Sequence, residues 1–486
     1  MNRFRKTVKT AVSGILCLSL LFSQTGVCLA SQEDAGSPPA MVYYDEWGDI
    51  GYFDDYLNQY VYYDENFHPD GAEPVPYGSD PASGSDSSYS SDSSYSSDSS
   101  YSSDSSGSAA ATPTPDPHMP AYYEPVSTDS VEGWPAGPAI EGGAAIAMDA
   151  STGAILYSKN ADTRMYPASI TKIMTALLAC ENLHPEDTYA ISESAAYGIE
   201  PGSSSIYADT GEIFTVEQEL MALMLESANE IALALAEQTA GSVKKFVEMM
   251  NERARQLGCT GTHFNNPNGL PDESHYTTAS DMAKIAKAAW NNRTFRKYAT
   301  TDTYEIPPTN VMQETRYLRN HHGMMSGHDH AYEGVLGGKT GYTVAAGNTL
   351  VTYATDGKLG IITVVLNSIN GAYPDTASLL DYSFRNFERI SLKYKKNPVP
   401  KKFLPCERFI LRNCGNTYPF YATRKYYATV PVGTTFDSLT KESSVTRLCT
   451  GPYIKEDTYY FNGYYVGYGV QKEREILSDL LLIPSL

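Results

Sequence analysis

Ser169 and Lys172 sit three residues apart in Tyr166-Pro-Ala-Ser169-Ile-Thr-Lys172-Ile-Met-Thr-Ala. On a helix, residues i and i+3 share a face, so hydroxyl and amine can meet. A neutral lysine can then take the serine proton and make its oxygen a nucleophile. Ser169 also opens an apolar helical run to about Glu181, and a helix N-terminus favours a developing oxyanion. Ser242–Lys245 and Ser438–Lys441 have the same spacing. A lone match of this kind reads first as a capping serine with a solvated lysine. Ser169 differs from both in its downstream partners, Ser227-Ala-Asn229 and then Lys339-Thr340-Gly341.

Ser-x-x-Lys, Ser-x-Asn and Lys-Thr-Gly, in that order, form the motif set of penicillin-binding proteins and serine β-lactamases. Between them stand Phe264-Asn-Asn-Pro-Asn-Gly269-Leu, Tyr276-Thr-Thr-Ala-Ser-Asp281-Met-Ala and Gly338-Lys-Thr-Gly-Tyr-Thr343. With these, Gly142 to Leu392 resembles the D-alanyl-D-alanine carboxypeptidases, the low-molecular-weight penicillin-binding proteins. The resemblance implies an acyl-enzyme on Ser169 with Lys172 as base. Ser227 would relay a proton to the leaving amine, and Asn229 would hold the substrate amide. Lys339 and Thr340 would bind a terminal carboxylate, and Gly341 would let a peptide lie along the strand. The backbone N–H of Tyr342, where many relatives carry histidine, would complete the oxyanion hole. The implied ligands are peptidoglycan stem peptides and β-lactams, with no cofactor or metal.

Three other readings share parts of this pattern. A β-lactamase of class A carries Glu-x-x-Leu-Asn between the second and third motifs. Here the nearest stretch is Glu248-Met-Met-Asn251, one residue short and inside the helix that Ser242 opens. An endopeptidase acting on cross-links would use the same residues. A non-catalytic wall-binding surface protein would explain the Tyr-rich N-terminal arm but not the three motifs. Glu226 reads as a solvated helix residue, and His321, His322, His328 and His330 as loop residues.

The elements around the motifs predict an α+β fold, one antiparallel sheet flanked by helices. Ala144–Asp149 and Ala154–Tyr157 read as a hairpin around a Ser-Thr-Gly turn. Thr215 is expected to cap a helix over 216–225, which Ser227-Ala-Asn229 interrupts before helix resumes from Glu230 to Thr239. Ser242 should cap a helix to Leu257, with Gly258 ending it, and another runs from Ser280 to Trp290. Residues 337–341, 347–352 and 359–366 read as consecutive strands, and 375–389 as a closing helix. The resulting division is a leader at 1–30, an acidic disordered linker at 31–135, a catalytic domain at 136–395 and a C-terminal all-β domain at 400–486.

The chain has 486 residues and a net charge of −21, but the charge is unevenly spread. Residues 31–135 hold 20 acids and no Lys or Arg, and the first 30 hold four bases and no acid, which leaves −5 for the rest. Nothing basic is left to suit nucleic acid. Arg3, Arg5, Lys6 and Lys9 precede an apolar Ala11–Phe22, the pattern of a secretory signal that exports the chain. A Ser-Ser-Asp hexad with Tyr89, Tyr95 and Tyr101 buries too little apolar surface to fold. Of the cysteines beyond the leader, Cys406, Cys414 and Cys449 cluster where export would permit a disulfide, free buried thiols being the alternative. Related enzymes usually end in a basic amphipathic membrane helix. The tail Leu477–Leu486 lacks one, so membrane anchorage stays open, as does oligomeric state.

Overall fold

The computed structural model describes Tyr43–Tyr44, Ile50–Asp54 and Gln59–Val61 as backbone, then residues 120–394, 420–422, 425–447 and 453–473. The leader, the hexad repeat, the C-terminal tail and the three clustered cysteines lie outside the described residues.

The centre is a five-stranded sheet of β1 (Ala144–Asp149), β2 (Ile155–Lys159), β3 (Val335–Thr343), β4 (Gly347–Thr355) and β5 (Gly360–Ser368). Its order is β3-β4-β5-β1-β2, with every neighbour antiparallel. Strand β1 is buried along its whole length, because helices or strands cover both faces of the sheet. Ala144, Ile146 and Met148 enter one core, and Ala145 and Ala147 enter the other, the period of two a strand imposes.

The first core packs under α1 (Lys172–Asn182), α2 (Val216–Leu225), α3 (Asn229–Ala240), α4 (Val243–Gln256), α5 (Ala279–Asn291) and α6 (Arg293–Thr300). Their starts obey the capping residues. Thr215 and Gln218 form a reciprocal capping box, Ser242 Oγ accepts from the Lys245 N–H, and Thr278 Oγ1 accepts from the Asp281 N–H. Both unproductive Ser-x-x-Lys pairs are structural: Ser242 is a cap, and Lys441 pairs with Asp457.

The other face holds α7 (Ala372–Asn386). This helix stops before Arg389, where the sequence pattern carried it. Phe387–Ser391 instead forms β6, paired antiparallel with β8 (Tyr427–Pro431). Arg389 thereby reaches buried Asp149, with Nε at 3.0 Å from Oδ2, and Thr429 donates to the same carboxylate. Partners about 40 residues away override a local helical pattern. The expected C-terminal β region is present as a four-stranded sheet of β7 (Phe420–Ala422), β9 (Thr440–Arg447), β10 (Tyr453–Phe461) and β11 (Tyr464–Glu473), in the order β7-β11-β10-β9. It meets the catalytic body through β11, whose Tyr465 hydroxyl donates to Thr152 O, while Thr429 Oγ1 on β8 meets Thr152 Oγ1 at 2.8 Å.

The linker expectation needs correction at its end. Within 124–135, Thr128 and Trp134 are buried. Buried Trp134 lies between Phe387, Phe461 and Tyr464 and donates its indole N–H to Leu156 O, so it clasps both lobes. One Trp among Pro, Ser and Gly is lost in a composition average. Upstream, the strands at Tyr43–Tyr44, Ile50–Asp54 and Gln59–Val61 pair into a small antiparallel sheet.

Candidate active site

Ser169 lies in a 3-10 turn, Ala168–Thr171, that leads directly into α1. The turn is pinned from several sides. Thr349 Oγ1 on β4 donates to Pro167 O at 2.8 Å. Thr171 Oγ1 meets His275 Nε2 at 2.9 Å, while His275 Nδ1 accepts from the Asn265 N–H, so Nε2 carries the ring proton. Burial pushes the His275 pKa down to about 4, which keeps the ring neutral. Gly269, at φ +89, backs against Ala168, and a Cβ there would stand 1.9 Å from Ala168 O. Only glycine tolerates that conformation and that approach together.

Lys172 is fully buried, with Nζ at 3.0 Å from Ser169 Oγ, 2.6 Å from Asn229 Oδ1 and 2.7 Å from Asn268 O. Burial, and then the charge of Lys339, hold its pKa well below the usual lysine range, against a smaller opposing pull from Glu230. A neutral amine has two N–H groups and one lone pair. The carbonyl oxygens of Asn229 and Asn268 take the two N–H groups. The lone pair is left for the Ser169 hydroxyl.

Asn229 opens α3, and its N–H donates to Ser204 O at 2.8 Å. Ser227 sits in the turn between α2 and α3 at φ +60, a left-handed conformation that costs a serine about 1–3 kcal/mol. Its Oγ is buried and has no hydrogen-bond partner among the described residues. The motif therefore splits. Asn229 bonds Lys172 directly, whereas Ser227 presents an unused hydroxyl beside it.

Lys339, Thr340, Gly341 and Tyr342 lie on β3, the sheet edge, whose outer side is unpaired within its sheet. An extended peptide can add to such an edge. Gly341 abuts the serine turn so closely that a Cβ would fall 2.4 Å from Thr349 Oγ1 and 2.8 Å from Ser169 N. Lys339 is buried, its Nζ donates to Thr340 O at 3.0 Å, and burial pulls its pKa down to about 7 while Glu226 opposes. Tyr342 is 65% exposed, so its ring faces solvent.

Two contributors were missed by reading side chains. Asn268 acts through its backbone carbonyl, which no residue type advertises; its signal was the Pro-Asn-Gly turn around it. Glu226 is no free surface group, since its carboxylate engages the Arg319 N–H and His321. Glu248 is exposed on α4, as its helical context implied. Of the four loop histidines, His322 bonds Thr352, His328 pairs with Asp302, and no metal-binding cluster occurs among the described residues.

Comparison with known proteins gives a consistent answer. A family model described as D-alanyl-D-alanine carboxypeptidase matches residues 132–370. The D-alanyl-D-alanine carboxypeptidase DacF of Bacillus subtilis is 35% identical over 269 residues, 54% of this chain and 67% of that protein. A D-alanyl-D-alanine carboxypeptidase of a Streptomyces species (strain K15) is 35% identical over 252 residues, 49% of this chain and 85% of that protein. Penicillin binding protein 5 from Haemophilus influenzae aligns with a TM-score of 0.56 and 25% identity, covering 70% of this chain and 99% of that one.

Proposed function

The chain belongs to the D-alanyl-D-alanine carboxypeptidase family, and from that premise we propose how its residues remove the terminal D-alanine of peptidoglycan stem pentapeptides. The stem peptide lies along β3, with its carboxylate on Lys339 and Thr340. Ser169 Oγ attacks the carbonyl between the two D-alanines and gives its proton to Lys172. The backbone N–H groups of Ser169 and Tyr342 hold the oxyanion. The C–N bond then breaks, and the departing amine receives a proton from Lys172 through the Ser227 hydroxyl. Water enters, loses a proton to Lys172 and cleaves the ester, returning Ser169. Asn229 has two tasks, since Oδ1 orients Lys172 and Nδ2 is left to donate to the substrate amide.

The same chemistry carries a β-lactam onto Ser169, which accounts for β-lactams as ligands. Working on peptidoglycan places the enzyme outside the cytoplasm, and the basic-then-apolar first 30 residues are the export signal in this reading. No helix among the described residues is long and apolar enough to cross a membrane.

The observation that carries the assignment is the 3.0 Å approach of the buried Lys172 amine to Ser169 Oγ, with its other two contacts on the Asn229 and Asn268 carbonyl oxygens. The test is release of D-alanine from a pentapeptide ending in D-Ala-D-Ala. Wild type should release one equivalent and Ser169→Ala none. Release by Ser169→Ala at the wild-type rate would overturn the assignment.

A further inference from the structure

Glu226 stands immediately before Ser227 at the end of α2, where sequence reasoning gave it no task. Its Oε1 accepts from the Arg319 N–H at 2.8 Å, and its Oε2 lies 3.0 Å from His321 Nε2. Arg319 ends the strand Arg316–Arg319, and His321 begins the loop that runs to β3 and Lys339. One side chain therefore fastens the serine–asparagine turn to the segment that delivers the carboxylate-binding lysine.

We propose that Glu226 is a positioning residue for Lys339, tying that loop to the Ser227 turn and keeping Lys339 a charged partner for the substrate's terminal carboxylate. This role rests on the catalytic reading above, because Glu226 acts through Lys339. Lys339 is buried and would shed its proton readily without an anion nearby. The titratable groups that bear on it are few. Glu226 faces it from the turn after α2, Lys172 from α1, and His322 from the loop before β3. Burial keeps His322 neutral, with a pKa of about 4 and its Nε2 on Thr352 Oγ1, and burial holds the Lys172 pKa well below the usual lysine range. The Arg319 guanidinium turns away to Gly327 O. Among these groups Glu226 alone supplies negative charge. Its own pKa is depressed by His321, the Arg319 N–H and Lys339 despite burial, so it stays ionised through the neutral range.

Lys339 with a pKa of about 7 binds carboxylate below that pH and loses it above. Removing the Glu226 charge lowers the Lys339 pKa, so the alkaline limb of kcat/KM moves to lower pH. Loss of that charge is expected to move the limb by about one unit, hence about a tenfold fall in kcat/KM at pH 8, carried by KM. Glu226→Gln is isosteric and keeps an acceptor for the Arg319 N–H, and Glu226→Asp keeps the charge.

The experiment is the pH profile of kcat/KM for a D-Ala-D-Ala peptide with wild type, Glu226→Gln and Glu226→Asp, with melting temperatures recorded alongside. The expected result is a limb that falls by about one unit in Glu226→Gln and stays with wild type in Glu226→Asp. A purely structural role would lower kcat and melting temperature without moving the limb, and that result overturns the inference alone. A wild type that hydrolyses no peptide at any pH overturns the catalytic reading and the inference with it.

Discussion

Asn229→Asp tests the role of Lys172 through the position of the acid limb. The substitution replaces an amide with a carboxylate of nearly the same shape, and Oδ1 stays 2.6 Å from Lys172 Nζ in a buried pocket. Two things change: a charge appears beside Lys172, which shifts the pH limb, and the Nδ2 donor to the substrate amide is lost, which lowers the rate at every pH alike. In the native site, burial and then Lys339 hold the Lys172 pKa well below the usual lysine range. A carboxylate in contact favours the ammonium and raises the Lys172 pKa by about 1–3 units. Each unit above the working pH leaves tenfold less neutral amine, so acylation at neutral pH should fall by about 10-fold to 1000-fold. That part of the fall should reverse as pH rises, with the acid limb displaced upward by the same roughly 1–3 units. Stability should move the other way. Lys172 has a folded pKa below its unfolded value of 10.5, so the unfolded chain binds more protons between those two values. That difference opposes folding at neutral pH, and raising the folded pKa reduces it. The variant should melt no lower than wild type while acylating far more slowly. The assay is stopped-flow acylation by a fluorescent penicillin from about pH 5 to 10, with thermal melts at the same pH values. A folded Asn229→Asp whose acid limb coincides with that of wild type would refute the neutral-lysine mechanism.

Other perturbations probe the scaffold. Gly341→Ala places a methyl 2.4 Å from Thr349 Oγ1 and 2.8 Å from Ser169 N, so strand and serine turn must part. Acylation should fall by at least about tenfold, with about 1–3 kcal/mol lost in denaturant melts. Arg389→Ala strands buried Asp149 at the seam of the lobes and should cost about 3–5 kcal/mol, while acylation of the folded fraction persists. Arg389 and the Asp149 hydrogen bonds hold that carboxyl below its ordinary pKa of 3.8 despite burial, so its stabilisation is present above that value and is lost as pH falls through the folded pKa. Trp134→Ala removes the indole from between the lobes and should cost about 3–5 kcal/mol in the same melts.

The legible parts of this protein were those in which residue type and short-range spacing carry the physics. Ser169 and Lys172 meet because three residues on a helical path put them on one face. Caps at Thr215 and Ser242 mark helix starts, since a side-chain oxygen replaces a missing backbone partner. The alternation of β1 between two cores comes from strand geometry. What stayed hidden depends on distant partners. The helix that ends at Asn386 is cut short by pairing with 427–431, and nothing local to Phe387-Glu-Arg-Ile announces it. Asn268 contributes a main-chain oxygen, and Glu226 looked like solvated surface until Arg319 and His321 folded onto it. Trp134 lay in a stretch whose average composition argued for disorder, yet one ring with three aromatic neighbours is enough to pin a chain.

The central claim is that Ser169 is the nucleophile. Brief incubation with benzylpenicillin, proteolysis and mass spectrometry test it most directly. The account predicts one penicilloyl group on the peptide containing Ser169, persisting through the digest and absent from Ser169→Ala. An adduct on another residue, or none on a folded protein, would contradict it.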